Sequence, residues 1–151
     1  MPLPYAESVN YYKTGRTAAD KKLDQTSRLI EDVGGEIHMK MLGMMYGRSA
    51  VILGFTLDGV PHQIAWPILE TKRGEKDTTA ARLQAATFVY HDVKAKVVSY
   101  QVLGAAAFAD IRMIESRNST PRQALYDGDP ADLDLLENKQ NHVKRLEVID
   151  G

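Results

Sequence analysis

A chain of 151 residues with 44% hydrophobic and 26% charged side chains has the size and balance of one globular domain around a single sizeable core, neither disordered nor embedded in a membrane. It contains no cysteine, which removes disulfides, thiolate zinc sites and a cysteine nucleophile and suits a reducing cytoplasm. The net charge of −1 hides a division: residues 127–151 hold seven acids against three bases, so the preceding part of the chain stands at +3, a modest excess for a protein that binds a polyanion.

Residues 1–15 show no period and read as an arm in which Tyr5, Tyr11 and Tyr12 are available to dock. The start, MPLPYAESVNYY, has neither a basic nor an apolar leader, and no apolar run reaches the roughly 18–20 residues that cross a bilayer, so a cytoplasmic location without membrane contact is expected. A single α+β domain is expected over residues 16–126, followed by the acidic segment 127–151. Its first element is a helix from Thr17 to Val33, with Leu23, Ile30 and Val33 on one stripe and Gly34-Gly35 as the stop. Three strands follow, Glu36–Met45, Arg48–Leu57 and Val60–Ile68, forming an antiparallel meander. The firmest signal is Asp58-Gly59 between two apolar runs, a dipeptide that supplies the positive φ of a tight hairpin. Pro61 and Pro67 lack amide donors, so the third strand is expected to lie at an edge or to fray at both ends.

The polar stretch LETKRGEKDTT leads to a long helix ending near Leu103, capped by Asp77 or Thr78. At 100° per residue Leu83, Ala86, Tyr90, Val93 and Val97 form one apolar stripe, while Phe88, Val98 and Val102 form another. One sheet cannot cover both. The helix is therefore wedged between the sheet and a further element, or it presents a self-association surface. Lys94 and Lys96 interrupt the apolar segment VYHDVKAKVVSY but fall on either side of the main stripe, where their stems can pack and their ammonium groups can reach water or an anion. Beyond Gly104 a short helix or strand carries Phe108, Ile111 and Ile114. A turn at Asn118-Ser119-Thr120 and a short helix near Pro121–Tyr126 come next, and the tail either forms a helix from about Pro130 or stays without fixed structure.

From about Ser27 to Tyr126 the chain resembles a family of small α+β proteins encoded by phages and other mobile elements. The resemblance is carried by Phe55-Thr56-Leu57-Asp58-Gly59 as an F-x-x-x-G hairpin, Ile64-Ala65-Trp66-Pro67 as an I-x-x-P strand, Arg82, and Lys94-Ala95-Lys96-Val97 as K-A-K-V. It implies a mobile-element setting and not a reaction. Where the family pattern has a run of arginines before the long helix, this chain has only Lys72, Arg73, Lys76 and Arg82.

Enzyme signatures are missing: the sequence has no Walker A loop, no G-x-G-x-x-G, no H-E-x-x-H and no G-x-S-x-G. The four histidines are scattered, and only His38 and His62, both on strands, offer a pair that could meet across the sheet as metal ligands. His91 and Asp92 are adjacent on a helix and diverge by 100°. No cofactor is expected. Three readings fit. The first is a non-enzymatic accessory protein that binds nucleic acid, single-stranded DNA among the candidates, through Lys72, Arg73, Lys76, Arg82, Lys94 and Lys96, with Trp66, Tyr90 or Tyr100 stacking on bases where exposed. The second is an anti-defence inhibitor that binds a small nucleotide or a host protein. The third is a homo-oligomeric assembly protein using the two-sided helix and the edge strand.

Overall fold

The computed structural model describes residues 2–113. The helices expected near Pro121–Tyr126 and from Pro130, and the acidic segment 127–151, lie outside the described residues. Within them the architecture is α+β: a three-stranded antiparallel sheet with two helices packed on one face.

Helix α1 (Ala19–Asp32) buries Leu23 and Ile30, as the stripe requires, together with Thr26 and Ser27. Those two hydroxyls sit on the inner face because each donates to a carbonyl one turn back, Lys22 and Leu23, at 2.9 Å. The helix ends where the glycines stand. Gly34 adopts φ 92°, and the amides of Gly34 and Gly35 donate to the carbonyls of Glu31 and Ile30, the paired bonds of a Schellman motif. A side chain at Gly35 would collide with Ile30.

Strands β1 (Glu36–Met45), β2 (Arg48–Leu57) and β3 (Val60–Pro67) pair in the order β1-β2-β3. Both connecting turns place two successive residues at positive φ, Tyr46-Gly47 and Asp58-Gly59, the geometry whose twist matches a two-residue hairpin. Strand β3 ends one residue earlier than expected, and the amide of Ile68 is tied instead to the Ser49 carbonyl at 2.9 Å. As an edge strand β3 also meets the returning chain, through a bridge between His62 and Arg112 and a bond from the Met113 amide to the Pro61 carbonyl. On β2, Val51, Leu53, Phe55 and Leu57 face the helices, whereas Ala50 and Ile52 join Met39, Met45 and Ala65 in a second cluster on the other face. His38 sits in a bulge of β1 and pairs with the Thr56 hydroxyl at 2.6 Å. Strand β2 lies between the strands of His38 and His62, so the one histidine pair that the sequence left open as metal ligands does not come together.

Helix α2 (Thr79–Leu103) is capped by Thr78, whose hydroxyl accepts from the Ala81 amide at 3.1 Å. Its buried residues are Ala81, Gln84, Ala85, Ala86, Val89 and Val93. This corrects the expected stripe: Leu83, Tyr90 and Val97 are half-buried, Val89 replaces them at the centre, and Val98 and Val102 point to solvent. Apolar residues occur on nearly every side of α2, so periodicity could not select among faces. Close approach selects the small alanines and valines. The helix packs on the sheet and against α1 and a 3-10 helix at Gly104–Ile111, but Val98 and Val102 of the second stripe stay uncovered.

Among the described residues the core contains one histidine. His62 faces the helices, its ring stacked on Phe55 at 5.1 Å and edge-on to Phe108 at 5.9 Å, with Nδ1 buried and without a hydrogen-bond partner. Burial pushes its pKa below the ordinary imidazole value, while the Val60 backbone opposes this and Arg112 and Asp58 act in opposite directions. The unfolded chain therefore takes up a proton near the ordinary value that the folded chain refuses. Stability is full above about pH 6.5 and is lost as pH falls from there toward the depressed folded value. Thermal unfolding followed between neutral and mildly acidic pH should show this loss, and His62→Phe should flatten it.

Candidate nucleic-acid interface

The residues expected to form one cationic groove are distributed over three places. Lys72, Arg73 and Lys76 are exposed on a loop held by bonds between Thr71 and Glu75 and from the Gly74 amide to the Thr71 carbonyl. The Lys72 amide donates to the Glu7 carboxylate of the arm at 3.1 Å. Arg82 is engaged in a two-pronged pair with Asp77 at 2.7 and 2.8 Å, which lowers the Asp77 pKa and raises that of Arg82, chiefly through the hydrogen bonds. Lys96 turns toward the 3-10 helix, where Asp92 and Asp110 hold its ammonium group at 3.0 and 3.2 Å and leave its side chain 11% exposed. Lys94 turns the other way and lies 5.9 Å from the Tyr90 ring. Arg82 and Lys94 are twelve positions apart, about 18 Å along the helix. The structure therefore does not join the Lys94 and Lys96 tips to the loop at residues 72–76, and carboxylates already neutralise Arg82 and Lys96.

What it does assemble is a row of aromatic rings across α2. Trp66, half-buried on the helix-facing side of β3, stacks on Phe88 with centroids 5.4 Å apart and planes 13° apart. Tyr11 of the arm meets Phe88 edge-on and stacks on His91, both at 5.0 Å, and His91 meets Tyr90 edge-on at 5.3 Å. Phe88 and His91 are three residues apart on α2 and so share the face on which Tyr11 rests. At the far end Lys22 of α1 places its ammonium group 4.2 Å from the Tyr90 centroid, and Lys94 approaches the same ring from one turn further along α2. Neither Lys22 nor Lys94 forms an ion pair with a carboxylate among the described residues. Lys13 adds a further cation 5.4 Å from the Tyr12 ring. Tyr100 is occupied elsewhere: its hydroxyl donates to the Asp58 carboxylate at 2.9 and 3.0 Å, locking the second hairpin to α2 and raising the Tyr100 pKa.

The arm is positioned by Gln84. Its buried Nε2 donates to the carbonyls of Ala6 and Asn10 at 2.9 Å and reaches that of Val9 at 3.4 Å, while the Ala6 amide bonds the Glu70 carbonyl. Gln84→Ala is expected to cost about 1–3 kcal/mol, the scale for stranding buried backbone acceptors. Urea unfolding measures that loss, and limited proteolysis should show faster cutting within the arm.

Three of these residues were not legible as site residues. Tyr90 and Lys94 stand at i and i+4, a spacing visible in sequence, but Lys22, Tyr11 and His91 join them only through the docking of α1 and the arm. Among the described residues no group of three His, Asp or Glu side chains is arranged to hold a metal ion, and no helix is long and apolar enough to cross a membrane. No family model, curated protein or solved structure matches the chain.

Proposed function

We propose that the protein is a non-enzymatic accessory factor that binds single-stranded nucleic acid across the α1–α2 face, in the mobile-element setting implied by its F-x-x-x-G and K-A-K-V pattern. One observation carries the reading: two ammonium groups from different helices, Lys22 and Lys94, converge on one tyrosine ring with no carboxylate paired to either. The ring quadrupole offsets only part of the charge of two ammonium groups that no carboxylate pairs, and a phosphate seated beside them supplies the missing anion. The aromatic row beside them offers ring surface to unstacked bases, and the exposed imidazole of His91 is its most accessible member. Double-stranded nucleic acid keeps its bases stacked and would gain only the phosphate contacts.

Titration of labelled single- and double-stranded oligonucleotides over a salt series tests this. Single strands should bind more tightly, with affinity falling steeply as salt rises. Absence of binding at low salt removes the reading.

Self-association has its own support. Val98, Val102 and Leu103 are exposed on the last turns of α2, Val102 at 86%, and the neighbouring Ala105 and Ala106 are exposed as well. A mass measurement in solution decides it, and a monomer at high protein concentration counts against it.

A further inference from the structure

At the first-hairpin end of the sheet, the arm, the first hairpin and the loop before α2 line an open cleft of about 890 Å³. That volume lies within the range of about 300–1,000 Å³ in which small-molecule sites fall. Leu3, Ile68 and Leu69 give it apolar walls, and Tyr5 and Met44 stand at its mouth with 49% and 48% of their surface exposed. Large apolar side chains left this open beside a cleft provide a surface on which a flat ring can lie.

The charges in the cleft are unevenly matched. Arg48 and Lys76 line it and form no ion pair among the described residues. Of its two acids, Asp77 is already taken by Arg82, which draws its carboxylate charge into a two-pronged pair. Glu70 remains, its carboxylate without a hydrogen-bond or ion-pair partner among the described residues. A ligand that satisfies all three features carries an anionic group for Arg48 and Lys76, a hydrogen-bond donor for Glu70 and a planar ring for Tyr5 and Met44. We propose that the cleft binds a mononucleotide, with its phosphate on Arg48 and Lys76, a ring amine or ribose hydroxyl on Glu70 and its base against Tyr5.

The cleft shares no residue with the row formed by Trp66, Phe88, Tyr11, His91 and Tyr90, or with Lys22 and Lys94, so this site and the single-strand interface can fail separately. Calorimetric titration of the full chain with AMP, GMP, CMP and UMP, and with adenosine and inorganic phosphate as part-ligands, tests the assignment. At least one nucleotide should bind about tenfold or more tightly than either part alone, because each part forfeits the contacts of the other. Arg48→Ala with Lys76→Ala should weaken that nucleotide about tenfold or more, through loss of charge-assisted bonds to the phosphate. Tyr5→Ala should weaken the nucleotide and leave phosphate unchanged. All three side chains are exposed, so circular dichroism should report an intact fold, and oligonucleotide binding through Lys22 and Lys94 should persist in these variants. Absence of nucleotide binding at millimolar concentration overturns the proposal. Phosphate binding as tightly as the nucleotide, or an affinity indifferent to Arg48, Lys76 and Tyr5, overturns it equally.

Discussion

Replacing Lys22 and Lys94 together by glutamate is expected to weaken single-stranded oligonucleotide binding about a hundredfold at low salt, at about 1.5 kcal/mol for each charge-assisted hydrogen bond removed. The paired alanine variant tests the mechanism more closely than the affinity alone. Each phosphate neutralised on a single strand contributes about 0.7 to the slope of log affinity against log salt, so losing the one phosphate that the two ammonium groups share should flatten that slope by about 0.7. Lys96→Gln and Arg82→Gln are the matched controls: Asp92 and Asp110 already hold Lys96, and Asp77 already holds Arg82, so neither cation is free for a phosphate. Each control should change affinity by about threefold or less, the scale of a partly exposed charge acting at a distance. An unchanged salt slope in the Lys22 and Lys94 variants, or a larger loss from the controls, would place the polyanion elsewhere on the molecule.

The contrast between Lys94 and Lys96 shows where sequence reasoning stops. Their opposite directions on the helical wheel follow from 100° per residue, but the expected seam does not: with Ala85, Val89 and Val93 on it, the buried face takes in Lys96, whose side chain is 11% exposed, and leaves Lys94 exposed on the outer side. Which of the two is neutralised does not follow. Lys96 and Asp92 are one turn apart and could have been paired from spacing, but Asp110 reaches Lys96 only because the chain breaks at Gly104, with φ 61°, and folds back as a 3-10 helix. The sheet was more legible because its signals are local: Asp58-Gly59 and the two prolines fix one turn and one edge without reference to any distant residue. Helix α2 lies between these cases. Its cap at Thr78 and its end at Gly104 are written in adjacent residues, whereas its buried face is decided by which side chains are small enough for α1 and the sheet to approach. Val89 therefore lies at the centre and Leu83 at the margin.

Phe55→Ala should be the most damaging of these single substitutions, at about 3–5 kcal/mol, the range for deleting a buried phenyl ring. Phe55 lies on the central strand with 1% of its surface exposed, paired in register with Ile37 on one side and His62 on the other. Its ring stacks on His62 and meets Phe108 edge-on at 5.8 Å. Removing it leaves a cavity that the backbone of a central strand cannot close, and it exposes the unpaired Nδ1 of His62 to whatever enters. Phe55→Leu, which refills most of the volume, should cost far less, near the ~1.5 kcal/mol ceiling of tolerated apolar exchanges. Urea unfolding of both variants measures the difference, and a loss below about 1 kcal/mol for the alanine variant would contradict the burial. Phe108 gives the substitution a second readout. It anchors the 3-10 helix that presents Asp110 to Lys96, so loosening its ring packing should also loosen that clasp. Phe55→Ala and Phe108→Ala should therefore combine with a coupling of at least about 0.5 kcal/mol in a double-mutant cycle. In the Phe55→Ala protein Lys96 should become a measurable contributor to oligonucleotide binding, a gain that neither carboxylate permits in the intact fold.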